Sequence, residues 1–230
     1  MMDLPTIISW VGTVIGIILN LSPAVLFYNI HLGKEKYTNI PESMLIFNIL
    51  CSSLWACYWY LQEDKFVPFF SAMAGLGLSE IFSLLYLYYF SGKCLKKYLL
   101  FALLEINLVI EFNYVLIRII GDYSMVGNIA VVVNILTYIA PGQNIIKVCK
   151  EKNYRLIPIA STLSGASCAL SWLLFGILIN DIHTIIPNSL GLIFAAINSF
   201  TWAYFYCNRD KNDDEENGQK ELITPEKEEI

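Results

Sequence analysis

Seven times along this chain a run of about 20 predominantly apolar residues recurs between short polar breaks, the length a helix needs to cross a bilayer. The windows are Ile7 to Ile30, Ile40 to Leu61, Val67 to Phe90, Tyr98 to Ile120, Ser124 to Val148, Leu156 to Ile179 and Ile185 to Tyr206. A soluble domain is excluded on the same ground: only 15% of the residues are charged, against about 25% in soluble domains. The ten-residue alternation of a membrane β-barrel is missing. The pattern predicts an all-α integral membrane protein with seven transmembrane helices.

The net charge of −5 lies in residues 208–230, where nine acidic residues face four basic ones. This segment is polar and lacks aromatic residues, so it predicts a disordered, acidic tail. The rest of the chain balances its charges and offers no basic surface for nucleic acid. Lys34, Lys36, Lys93, Lys96, Lys97, Lys147, Lys150, Lys152, Arg155, Arg209 and Lys211 fall on one face, and Lys65 and Arg118 on the other. Cytoplasmic loops are the basic ones, so the N-terminus is expected outside and the C-terminus in the cytoplasm. The start, MMDLPTIISW, has no basic region and no small-residue cleavage site, and the first span reads as retained. Cys51, Cys57 and Cys168 lie in spans, and Cys94, Cys149 and Cys207 near the cytoplasmic face, so no extracellular disulfide is expected.

The chain repeats itself at an offset of about 117 residues. Pro23 meets Pro141, Lys34-Glu35-Lys36 meets Lys150-Glu151-Lys152, and Pro41 meets Pro158. Trp55 meets Trp172, Asp64 meets Asp181, and Tyr89 meets Tyr206. Corresponding spans are four crossings apart, so the copies run parallel. A first three-helix bundle (1–92), a linker helix (93–122), a second bundle (123–207) and the tail (208–230) follow, with a crevice between the bundles as a solute path.

Pro23 and Pro141 lie inside spans one and five, and Pro41 and Pro158 open spans two and six. A proline removes a backbone donor and clashes with the preceding turn, so the four predict bends or hinges, or for the latter pair simple helix starts. In the second repeat Trp172, Pro187-Asn188 and Gly191 form the strongest candidate site. An aromatic plane holds the C–H face of a sugar, and an amide both donates to and accepts from hydroxyls. Packing for Trp172 and interhelical bonding for Asn188 are the competing readings.

Spans one, two, five, six and seven carry no deep ionisable group, which leaves little for ion coupling to use. Glu80, Glu105 and Glu111 are confined to spans three and four, and Asn107, Glu111, Tyr114 and Arg118 form a stripe read as a seam between bundles. Gly-rich phosphate loops, metalloprotease and Gly-x-Ser-x-Gly motifs are absent, His31 and His183 are isolated, and span seven has no lysine. No enzyme, metal site or cofactor is expected.

From about Gly12 to Tyr206 the chain resembles the SWEET sugar transporters. The likeness is carried by Leu21-Ser22-Pro23, Ile40-Pro41, Tyr138-Ile139-Ala140-Pro141, Ile157-Pro158, Ser171-Trp172 and Ile186-Pro187-Asn188-Ser189-Leu190-Gly191. The family is a known instance of parallel-repeat, two-bundle architecture. The resemblance implies facilitated, uncoupled, bidirectional movement of mono- or disaccharides in a multi-pass protein of the plasma membrane, with homo-oligomers allowed. It implies a cytoplasmic gate at Pro23, Pro41, Pro141 and Pro158, and a pocket built on Trp172, Asn188 and Ser52. The family's second asparagine, counted back from Glu80, falls here on Met73, or on Ala74 with one gap; Ser71 is a partial substitute. Asp181 corresponds to an acid of the outer gate, faced by an aromatic of span two, assigned to Trp55. The rivals are a seven-helix amino-acid carrier, for which paired Pro-Gln motifs are missing, and a seven-helix receptor, which needs no repeat.

Overall fold

The computed structural model describes residues 2–40, 42–92 and 94–208. Pro41, the tail from Arg209 onward and the side chain of Pro141 lie outside the described residues. The order is α1 Leu4–Asn20, α2 Pro23–His31, α3 Glu42–Leu61, α4 Phe66–Phe90, α5 Leu95–Tyr114, α6 Tyr123–Leu136, α7 Ile139–Glu151, α8 Ile159–Leu178 and α9 Ile182–Cys207. No strand occurs among the described residues.

Six helical stretches are long and apolar enough to cross a membrane, with Leu4–His31 joining α1 to α2 and Leu95–Ile120 extending α5 through a π-helical turn. The fifth window is shared between α6 and α7, and α6 alone is too short to span. On α5 only Ala102 is buried, while Leu99, Leu103, Ile110 and other apolar side chains stand exposed. Water does not tolerate so large an apolar face, and lipid does. The chain is a multi-pass membrane protein.

The bends fall where the interior prolines predict them. Pro23 cannot donate to the Leu19 carbonyl; Ser22 N–H takes that carbonyl instead, at 3.0 Å, and α1 stops. Before Pro141 the same tightening occurs, as Thr137 N–H reaches Asn134 O at 3.1 Å and Tyr138 N–H reaches Ile135 O at 3.1 Å. A helix whose bonding shortens from four residues to three over one turn changes direction there. Pro158 is the N-cap of α8 and is exposed, a helix-start position.

Around the molecule α1 packs on α4, α4 on α3, α3 on α6, α6 on α9, α9 on α8, and α8 again on α1. The six close into a ring, with α5 outside it against α3 and α4. Replacing each helix by its repeat mate (α1 by α6, α3 by α8, α4 by α9) returns the same ring. Register adds one correction: Asp64 and Asn180 share the left-handed turn, with φ of 59° and 55°, so Lys65 and not Asp64 stands in Asp181's place.

The two seams of the ring differ at their ends. Leu54, Tyr58 and Trp59 of α3 join Val126 and Ala130 of α6 and Phe175 of α8 in one buried cluster, so the halves are packed together where α9 begins. At the other end the buried cluster of Phe27, Ile30, Ile40, Leu45, Phe82 and Tyr86 draws on the first half alone.

Gly127 of α6 makes the packed seam possible. A Cβ there would stand 2.7 Å from both His183 Cδ2 and Tyr58 Cε2, and small residues at such crossings let helices approach. Gly127→Ala is expected to lower the melting temperature of the detergent-solubilised protein, through overpacking of about 1–3 kcal/mol. Gly77→Ala, where no atom lies within 4 Å, leaves it unchanged or raised, and equal behaviour of the two variants would contradict the tight seam.

Candidate functional site

The ring encloses a cavity of about 260 Å³, to which each of its six helices contributes one stripe. Cys51, Ser52, Trp55 and Trp59 come from α3, and Pro68, Ser71, Ala72 and Gly75 from α4. Both sets follow the spacing of one helical face. Gly16 and Asn20 of α1, Asn134 of α6, Cys168 and Trp172 of α8, and Thr184 and Asn188 of α9 complete the wall. None of these is Asp, Glu, Lys, Arg or His. Repeat mates line it together, Cys51 with Cys168 and Trp55 with Trp172 on α3 and α8, and Pro68 with Thr184 and Ala72 with Asn188 on α4 and α9, so the pseudo-twofold axis passes through the cavity.

Trp172 is half-buried and held from two sides. Phe175 meets its ring edge-on at 5.6 Å and 89°, and Gly12 gives it room, since a Cβ there would lie 3.1 Å from Trp172 Nε1. Asn188 donates from Nδ2 to Thr184 O at 2.8 Å, which fixes the amide plane. One turn below, Tyr138 ties the bend between α6 and α7 to α9: its hydroxyl donates to Pro187 O at 3.0 Å and its ring stacks on Phe194 at 5.4 Å. Gly191 is required for that approach, because a Cβ would come within 2.7 Å of Tyr138 Oη.

Where α9 begins, the cavity is shut by a bond across the halves. Tyr58 of α3, with no exposed surface, donates to Asp181 Oδ1 at 2.5 Å. Asp181 is the N-cap of α9 and also accepts from Thr184 N–H at 3.3 Å and from its hydroxyl. His183 Nδ1 lies 3.2 Å from Tyr58 Oη and 3.5 Å from Asp181 Oδ1. A buried carboxylate with three donors has no reason to leave, except exchange of the Tyr58 bond for water when the halves part.

The acids of α4 and α5 lie off the cavity. Ser83 donates to Glu105 Oε1, while both oxygens of Glu80 and Oε2 of Glu105 are buried with no partner among the described residues. Asn113 joins α5 to α3, accepting from Cys57 Sγ at 3.0 Å and donating to Ser53 Oγ at 3.3 Å. Among the described residues no group of three or more His, Cys, Asp or Glu is arranged to hold a metal.

Residues 124–211 match the family described as "Sugar efflux transporter for intercellular exchange". The chain is 25% identical to bidirectional sugar transporter NEC1 of Petunia hybrida, over 98% of this chain and 86% of that protein. It is 24% identical to bidirectional sugar transporter SWEET1 of Arabidopsis thaliana, over 94% of this chain and 88% of that one. Its fold superposes on a solved eukaryotic SWEET transporter with a TM-score of 0.76 at 21% identity, covering 89% of this chain and 97% of the other. The chain is thus similar to SWEET transporters over most of its length, and its second half matches their family.

Against that family's pattern, Trp172, Asn188 and Ser52 stand around one cavity, and two sequence assignments change. Met73 is not in the wall: it is 44% exposed, and at about 100° per residue it lies 100° or more around α4 from Pro68, Ser71, Ala72 and Gly75. The aromatic facing Asp181 is Tyr58, and Trp55, three residues earlier, turns into the cavity and meets Tyr58 edge-on at 5.5 Å. Asn20 and Asn134 are wall residues that motif reading passed over, because neither belongs to a motif; their one signal was a polar amide within an apolar window. Of the four SWEET prolines, Pro23 begins α2 and Pro141 is the third residue of α7, the second segments of the broken spans, whereas Pro41 is not described.

Tyr58→Phe keeps the ring and removes the bond to Asp181, worth about 1.5–3 kcal/mol for a charged acceptor. It should raise modification of the wall cysteines Cys51 and Cys168 by a membrane-impermeant thiol reagent from the Asp181 side about tenfold or more. Unchanged labelling would show that this bond does not hold the seam.

Proposed function

We propose that the chain is a facilitative, bidirectional sugar uniporter working by alternating access. The observation that carries this reading is the cavity itself: central, aromatic on opposite walls, rich in amides and hydroxyls, and without a charged side chain. A neutral polyol with apolar C–H faces matches such a lining. A zwitterionic amino acid does not, since its ammonium and carboxylate would enter an apolar surround with no counter-charge. Uncoupled transport follows from the same lining, because a proton or sodium ion finds no carboxylate there. The relatives named above as bidirectional sugar transporters support the substrate class.

The volume falls below the ~300–1,000 Å³ of drug-sized ligand sites, which favours one pyranose ring over two. Trp172 and Trp55 would hold its faces, with Asn188, Ser52 and Ser71 at its rim. A facilitator needs weak binding, and a millimolar dissociation constant corresponds to about 4 kcal/mol, within reach of a stacked ring and a few hydrogen bonds.

The moving parts would be residues 1–92 and 123–207, joined by the linker 93–122, with the acidic tail apart from both. Tyr58 and Asp181 would be the outer gate, and Pro23, Pro41, Pro141 and Pro158 the hinges of the inner one. The packed seam at the Asp181 end and the one-sided cluster at the other are consistent with a conformation closed outside. The basic loops support an N-terminus outside and a C-terminus in the cytoplasm, and the membrane would be the plasma membrane. Because α5 lies outside the ring, another copy could pack against it without disturbing the cavity.

In proteoliposomes without an ion gradient, Trp172→Ala should reduce uptake of radiolabelled hexose at least tenfold, with the protein still monodisperse and inserted. Retained uptake would remove Trp172 from the path.

A further inference from the structure

Four polar side chains on the cavity wall make no hydrogen bond to the protein among the described residues: Asn20, Ser52, Ser71 and Asn134. Four other asparagines in the spans turn back on their own helix, Asn107 to Leu103 O at 2.6 Å, Asn113 to Val109 O at 2.7 Å, Asn188 to Thr184 O at 2.8 Å and Asn198 to Phe194 O at 2.9 Å; Asn29 and Asn48 do not, and neither lines the cavity. The carbonyl of Gly16 stands at the same spacing from Asn20 and is not used. Instead the Asn20 amide lies over Gly75 of α4, where a Cβ would be 3.4 Å from Asn20 Nδ2 and 3.3 Å from Ser52 Oγ. The two polar groups therefore converge on one spot that a glycine leaves clear.

An amide left without a protein partner inside an apolar span is unfavourable unless a ligand or water meets it. The repeat shows what the position supplies. In the register of α4 on α9, where Lys65 stands in Asp181's place, Asn188 corresponds to Ala72, so the first half has a methyl where the second has an amide. Asn20 restores an amide to the first half from the neighbouring helix.

We propose that Asn20 is a specificity-determining contact for the transported sugar, acting with Ser52 on a hydroxyl at the α1–α4 wall. This rests on the carrier reading above. Its place also matters for movement. Asn20 is the last residue of α1, directly before the bend at Leu21 and Ser22, and Asn134 lies just before the corresponding bend in span five. A sugar held between the two amides engages both broken spans at the bends where they reorient.

The test is uptake kinetics in proteoliposomes for glucose and a set of singly deoxygenated glucoses, with wild type and Asn20→Ala. The expected result is a KM for glucose raised about tenfold, the size of one hydrogen bond, with the maximal rate within about twofold. One deoxy analogue should be discriminated by wild type and not by the variant, a signature that loss of packing alone does not produce. Asn20→Ser, which keeps a donor and an acceptor in less volume, serves if the alanine variant does not insert. Normal wild-type uptake with an unchanged KM, or an equal loss for every analogue, overturns the assignment of Asn20 alone. No uptake of hexose or sucrose by wild type overturns the carrier reading, and this inference with it.

Discussion

A hole in the middle of a membrane protein must be lined by groups that neither collapse onto one another nor demand a counter-ion, and the ring of six helices meets that constraint. Apolar spans supply the outer surface and the packing between neighbours, while each ring helix turns one stripe inward. Because these stripes carry aromatic, amide and hydroxyl groups and no charge, the cavity can be wet or filled by a neutral polar solute at little electrostatic penalty. A single carboxylate in the wall would change this balance. The acids within the spans, Glu80, Glu105 and Glu111, sit instead on α4 and α5, away from the path.

Unequal seams give the ring its direction. Where α9 begins, a shared apolar cluster and the bond from Tyr58 to Asp181 hold the halves together, and Gly127 allows them to close. At the opposite end the buried cluster belongs to the first half only. Two bends, each made by a turn of shortened bonds ahead of an interior proline, lie between these ends. The bend in span five is not free, since Tyr138 fastens it to the carbonyl of Pro187. Movement there carries α9, and Asn188 with it.

Much of this was legible in the sequence, for physical reasons. Span positions follow from hydropathy alone, and the bends from the missing N–H of Pro23 and Pro141. The repeat survives because both halves solve the same packing problem, so Trp55 and Trp172 recur at the same depth. What was not legible is rotational phase. A count back from Glu80 finds Met73, but a helix face is decided by 100° steps, and the wall of α4 runs through Ser71, Ala72 and Gly75. The choice between Trp55 and Tyr58 as partner of Asp181 is the same problem three residues apart. Asn20 was hidden for a different reason: its importance comes from Gly75 on another helix, and no local pattern joins the two.

The central claim is a neutral, uncoupled path that opens alternately to either side. Counterflow tests it most directly. Proteoliposomes preloaded with unlabelled glucose, diluted into a trace of labelled glucose without any ion gradient, should show a transient accumulation of label that decays to equilibrium. Uptake that rises without an overshoot, or accumulation that appears only when a proton or sodium gradient is imposed, would contradict it.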